Sequence, residues 1–145
     1  MQEQNFKNHS RLTMGYHGIL LGLILLAIIG SCMKLYRNWD TGNGGLLMPG
    51  VLLLLSLGLF LISFFARGFA LKAQDRAIRA EENLRYFAIT GDLLDNKLSI
   101  GQIVALRFAP NNELVDLAHR ATTENLSAKE IKMAIKNWRA DNHRV

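Results

Sequence analysis

ARGFALKAQDRAIRAEENLRYF, residues 66–87, begins where a long apolar run ends, yet nothing in it stops a helix. Alanine, glutamate, arginine and leucine dominate from Ala70 to Arg85, no proline interrupts, and Gly91 stands where a left-handed C-terminal cap is expected. The stretch therefore predicts one helix from about Leu46 to Thr90, about 67 Å long at the usual rise per residue. Gly68 is its only weak point.

Working toward the N-terminus, no Asp, Glu, Lys or Arg occurs from Leu12 to Met33 or from Thr41 to Ala66. Each run exceeds the about 20 residues that cross the hydrocarbon of a bilayer. About half of the long helix should then project beyond the membrane. Between the runs lies KLYRNWDTGNGG, residues 34–45, short enough to force an antiparallel hairpin. Tyr36 and Trp39 suit the interface, and Gly42, Gly44 and Gly45 supply the turn. Basic residues set the orientation: Lys7 and Arg11 before the first run and Arg67, Lys72, Arg76 and Arg79 after the second place both termini in the cytoplasm, against a weaker pull from Lys34 and Arg37.

The expected organisation is an all-α chain of 145 residues. It comprises a cytoplasmic segment (1–11), a first transmembrane helix (12–36), an external loop (37–45), a second transmembrane helix (46–66), its cytoplasmic extension (67–90) and a small helical bundle (91–145). The net charge of +5 follows from basic residues held on the cytoplasmic side, so it calls for no nucleic acid. IGSC, residues 29–32, resembles a lipoprotein cleavage site, but the first apolar run is long enough to span and is read as uncleaved. With Cys32 alone, no intrachain disulfide can form.

Along the second helix, Ser56, Leu59, Ser63, Ala66, Ala70, Ala73, Ala77, Ala80, Leu84 and Phe87 recur at alternating steps of three and four. This is a heptad seam whose small side chains admit another helix closely. It joins copies of the protein, or it receives the chain's own first helix and C-terminal helices; the pattern does not name the partner. Leu71 and Ile78 occupy an adjacent face, and Asp75 with Arg79 and Glu81 with Arg85 have the spacing of intrahelical ion pairs. The first span carries its own small face, Gly15, Gly18 and Gly22, expected to pack on the second span.

From Asp92 onward three short helices are expected from their caps. Ser99 and Gln102 form a capping box for one ending near Ala109, before Pro110; Asn111 or Asn112 caps the next, with Leu114, Val115, Leu117 and Ala118 inward; Ser127 and Glu130 open the last. In that last helix Ile131, Ala134, Ile135 and Trp138 share one side and Lys129, Lys132, Lys136 and Arg139 the other. The basic side is read first as a solvated face, second as one that meets lipid headgroups or an acidic partner.

Chemistry finds no constellation. His9, His17, His119 and His143 form no pair at ligand spacing, there is no phosphate-binding glycine loop and no nucleophile elbow, and no cofactor is implied. The spans hold few polar side chains, chiefly Ser31, Cys32, Ser56 and Ser63, which argues against a coupled transporter. A homo-oligomeric pore lined by the long helix is the alternative to a protein that acts by contact, as a homo-oligomer or accessory subunit of another membrane protein.

QDRAIRAEENLR, LRFAPNNEL and IKNWRADNHRV, with the N-terminal QNFKNHSR and Tyr16-His17, resemble an uncharacterised family of small bacterial inner-membrane proteins with two spans. That resemblance covers nearly the whole chain and implies bacterial origin and a cytoplasmic-membrane location. It carries no activity, substrate or catalytic residue.

Overall fold

The computed structural model describes residues 5–6, 13–41 and 45–141. Lys7, Arg11, His9, His143, Gly42 and Gly44, used above for orientation, metal ligation and the turn, lie outside these residues. The chain is all-α, with no strand among the described residues. A π-helical stretch Met14–Leu20 leads into α1 (Leu21–Thr41), followed by α2 (Leu47–Thr90), α3 (Ile100–Leu106), α4 (Asn111–Thr123) and α5 (Ala128–Ala134). There are two compact units, one of Leu12–Ala70 and one of Met1–Arg11 with Leu71–Val145, and α2 contributes to both.

The unbroken run of α2 is the expectation of the opening stretch met: 44 residues without interruption at Gly68, closed by Gly91 at φ 82°. The Gly91 amide donates to the Phe87 carbonyl at 2.8 Å, as a left-handed cap should. Pro49 falls within the first turn, where its missing N–H costs nothing. The first helix differs from expectation at both ends. It starts as a π-helix, with the Leu21 amide reaching back five residues to the Tyr16 carbonyl. It also runs through Trp39 to Thr41, because nothing before Gly42 breaks it. Tyr36 and Trp39 are thus helical and exposed, and the Asn38 amide nitrogen donates to the Gly45 carbonyl at 3.2 Å across the turn.

In the C-terminal unit the core centres on Phe108, Ile103, Leu106, Leu114 and Ile131, all essentially removed from solvent. Both capping boxes are formed. Gln102 does more than cap α3: its side-chain nitrogen donates to the Leu126 carbonyl at 2.8 Å, tying α3 to the turn before α5. α3 gives way after Leu106 to tight turns ending at Ala109. Leu114, Leu117 and Ala118 face the core as expected, with Val115 half-buried.

Two local expectations fail for a common reason, a tertiary hydrogen bond that outcompetes a local one. Neither Asn111 nor Asn112 caps α4; Pro110 holds that position without a side-chain bond. The Asn111 oxygen instead accepts from Arg85 Nε at 2.8 Å. Nor does the last helix continue through Trp138. Ile135 turns extended (ψ 122°), and the amides of Lys136 and Asn137, which helix continuation would direct to α5 carbonyls, donate to the Glu113 carboxylate at 2.9 and 3.1 Å. Residues 135–141 form a strap, held further by the Arg139 amide on the Phe108 carbonyl at 2.8 Å and by Trp138 against the Phe108 ring.

Candidate interaction sites on the long helix

In the unit built on Leu12–Ala70, the covered side chains of α1 and α2 are mainly leucines and isoleucines interleaved with serines. The least exposed residues of this pair include Ile24, Ser31, Ser56 and Ser63. Each serine hydroxyl donates to the carbonyl four residues earlier, of Ala27, Leu52 and Leu59 respectively, so no bare hydroxyl is presented to apolar surroundings. Tyr16 donates its phenol to the Ser63 carbonyl, and the Arg67 guanidinium stands 5.8 Å from the Tyr16 ring centre. A groove of about 400 Å³ remains beside them, lined by Ala27, Ser31, Lys34 and Pro49 among others.

Gly15, Gly18 and Gly22 are not sites of close helix approach within the described residues. A methyl group at Gly15 or Gly22 would meet no atom within 4 Å, and at Gly18 only the chain's own Met14. On α1 the covered or half-covered positions are Leu21, Ile24, Ile28, Ser31, Leu35 and Asn38, at steps of three and four, with Gly22 beside the first of them. That stripe was present in the sequence and is the signal the glycine spacing obscured.

The seam of α2 divides. Ser56 and Ser63 are covered within the hairpin, whereas Leu59, Ala66, Ala70, Ala73, Ala77, Ala80, Leu84 and Phe87 are exposed. In the C-terminal unit the fully buried residues of α2 are Ile78 and Glu82, at 3% exposure each, with Tyr86 half-buried against the core. Ile78 and Glu82 lie five positions beyond Ala73 and Ala77, about 140° around a helix of 3.6 residues per turn. The stripe is covered at Ser56 and Ser63 only, and every seam position from Ala66 onward is exposed.

The face that is occupied is charged. Glu82 bonds Arg85 Nη1 at 2.9 Å and approaches Arg139 Nη1 at 3.7 Å. Arg85 also donates to the Asn111 side chain and, at 2.7 Å, to the Ala109 carbonyl, so one guanidinium clamps α2 to the junction of α3 and α4. Among the described residues no ion pair joins Asp75 to Arg79 or Glu81 to Arg85: Arg85 takes Glu82, three residues away, because the bundle buries both. Arg107 pairs with Asp141 at 2.6 Å. These residues and Glu81 line a cavity of about 450 Å³ in which three arginines face three carboxylates. No histidine, cysteine or serine lines it, and among the described residues no group of three or more His, Cys, Asp or Glu could hold a metal.

The four basic residues assigned to the last helix do not form one face. Lys129 is exposed on α5, but Lys132 is half-buried with its ammonium 5.6 Å from the Phe108 ring centre, and Lys136 and Arg139 lie on the strap. The strap's anchor, Glu113, sits in the first turn of α4. Burial raises its pKa, but hydrogen bonds from the Lys136 amide and from the side chain and amide of Asn137, with the Lys136 charge, outweigh burial and hold it below the ordinary value of 4.5. A carboxylate so depressed adds stability above its unfolded-state pKa and loses it as pH falls through the lower folded value. Urea unfolding followed by tryptophan fluorescence should therefore show stability decline as pH drops below about 4.5, and Glu113→Gln should flatten that decline. An unchanged slope in the variant would remove Glu113 as its source.

His17 lies within the first helical segment, stacked edge-on against Tyr16 at 5.1 Å, and His119 is exposed on α4. Cys32 is exposed. Among the described residues two helices, Met14–Asp40 and Leu47–Thr90, are long and apolar enough to cross a membrane, each by an 18-residue stretch of mean hydropathy 2.3 and 2.4 respectively. The family model of DUF6526, a family of unknown function, matches residues 1–145, and the chain belongs to that family. No curated protein and no solved structure matches it.

Proposed function

We propose that this member of the DUF6526 family is a two-span bacterial inner-membrane protein that works by protein contact rather than by chemistry, through the exposed face of α2. The observation that carries the contact reading is the pair Leu84 and Phe87, 69% and 50% exposed on a face left bare among the described residues. Single apolar residues on a surface mean little; a continuous stripe on a helix beyond its membrane-length stretch marks a place where another helix packs.

Support for the membrane reading comes from where the apolar side chains point. Leu54, Ile62 and Phe64 are each more than half exposed, and only 11% and 17% of the two apolar windows are buried. A core helix of a water-soluble protein hides such residues; a helix in lipid does not need to. Tyr36 and Trp39 then suit one interface and Arg67 the other, and the cluster Arg67, Lys72, Arg76 and Arg79 supports a cytoplasmic C-terminal unit. The partner at the bare face is a further copy or another membrane protein, to which the chain is an accessory subunit.

The alternative, a homo-oligomeric channel lined by α2, draws no support from Ser56 and Ser63. Both are covered by the chain's own first span and bonded to their own helix, which leaves only apolar side chains and small residues to face an axis.

A photo-reactive residue at Leu84, introduced in the full-length protein in native membranes, tests the contact reading. It should give a discrete protein adduct, and Ala73→Leu with Ala80→Leu should cut the adduct by about ten-fold, a loss of ~1.4 kcal/mol of contact. Both alanines are exposed, so the added bulk can extend into solvent and the fold should be retained. Adducts with lipid alone, or with protein but indifferent to the double substitution, would reject the reading.

A further inference from the structure

The charges that flank the bare face identify its occupant. We propose that this face of α2 packs against the same face of a second copy of the chain, the two helices running parallel. The inference rests on the contact reading above and goes beyond it by naming the partner and the register.

Ala77 and Ala80 are successive core positions of the seam, so the residue before Ala77 and the residue after Ala80 occupy its two edges. Those residues are Arg76 and Glu81. In a parallel pair of helices the edge residue preceding one core position faces the edge residue five places later on the other helix. Arg76 thus faces Glu81 of the partner subunit, and the two-fold axis repeats the pair. In an antiparallel pair like edges meet, placing Arg76 against Arg76 of the partner subunit and Glu81 against Glu81 of the partner subunit. The charge pattern selects the parallel arrangement, which is also the one available to two copies inserted in one membrane with the same orientation.

Both charges are at liberty to make this contact. Arg76 and Glu81 are exposed, and neither is in an ion pair among the described residues; Glu81 also lines the charged cavity, where Glu82 rather than Glu81 takes Arg85. Beyond Ala80 the core of the seam continues as Leu84 and Phe87, which supply the apolar area that alanine lacks. Ala73, Ala77 and Ala80 set a close helix spacing, which brings the Arg76 and Glu81 side chains within reach of each other across the pair.

The experiment is native mass spectrometry of the full-length protein in nanodiscs, comparing the wild type with Arg76→Glu, Glu81→Arg and the combined exchange. The wild type is expected as a dimer. Each single reversal converts two attractions into two repulsions and should raise the dissociation constant about ten-fold, while the exchange restores the pairs and should bring it back to within about two-fold of wild type. Tryptophan fluorescence of each variant checks that the chain remains folded. A dimer indifferent to the single reversals, an exchange that fails to restore it, or a ring of four or more copies would overturn the parallel pair. A wild-type monomer whose Leu84 adduct with a different protein still depends on Ala73 and Ala80 would overturn the second copy and leave the contact reading standing. A monomer with no protein adduct would sink both.

Discussion

Phe108→Ala is expected to lower the stability of the C-terminal unit by about 4 kcal/mol, the scale for emptying a buried aromatic site. Phe108 is 1% exposed and is the largest of the fully buried side chains. Its ring also receives Trp138 at a centroid distance of 5.0 Å and the Lys132 ammonium at 5.6 Å. Truncation therefore opens a cavity and removes the surface on which the strap lies. A unit of this size holds on the order of 5 kcal/mol in all, so the variant should sit at the edge of unfolding at ordinary temperature. Urea titration of the detergent-solubilised protein, read by tryptophan fluorescence, measures the shift. A loss under about 1 kcal/mol would mean that the site collapses around the alanine and that the strap is held by its hydrogen bonds alone.

Glu82→Ala is the second large effect, expected at about 3 kcal/mol. The carboxylate is 3% exposed and neutralises Arg85, itself only 12% exposed at its side chain. Removing it leaves a nearly buried guanidinium that keeps its bonds to Ala109 and Asn111 but has lost its counter-charge. The Arg139 contact, at 3.7 Å from a side chain 53% exposed, adds little because water screens it. This assigns the effect to one partner: Arg139→Ala should cost under about 1 kcal/mol, and Glu82→Ala with Arg85→Met should recover much of the loss of the single change, since a buried pair replaced by apolar groups is often neutral. A double variant as unstable as Glu82→Ala alone would show that the bonds of Arg85 to the α3–α4 junction, and not its charge balance, hold α2 in place.

How far the sequence was legible depends on the range of the interaction concerned. The two apolar runs, the unbroken α2, its Gly91 cap and the two capping boxes were all readable, because each is decided within a few residues by composition, by φ at one glycine, or by a side chain bonding three positions away. The end of α5 was not. Nothing local stops a helix at Ala134; the Glu113 carboxylate, contributed by another helix, draws away the next two amides. The same holds for Asn111, whose side chain serves Arg85 instead of its own helix.

The seam illustrates a different limit. Its periodicity was real, but a repeat does not say what meets it: Ser56 and Ser63 are covered within the hairpin, whereas Leu59 and every seam position from Ala66 onward are exposed. Likewise the glycines of the first span looked like the packing face, whereas the stripe through Ile24, Ile28 and Ser31 is the one covered. Glycine permits close approach without requiring it. The clamp at Glu82 had no sequence signal beyond charge density, since Glu81 and Glu82 are equivalent until the bundle is in place.

Everything proposed for α2 depends on its crossing from lipid into water, and cysteine accessibility in sealed membrane vesicles measures that directly. With Cys32 replaced by serine, single cysteines at Leu55 and Ile62, both at least 60% exposed in the chain, should resist a water-soluble maleimide. Cysteines at Lys72 and Arg79, on the same helix and also exposed, should react, and only when the reagent has access to the cytoplasmic face. Labelling at Leu55 and Ile62 as fast as at Lys72 and Arg79 would put the apolar half of α2 in water or against a wet surface, and would contradict the membrane reading on which the proposed function rests.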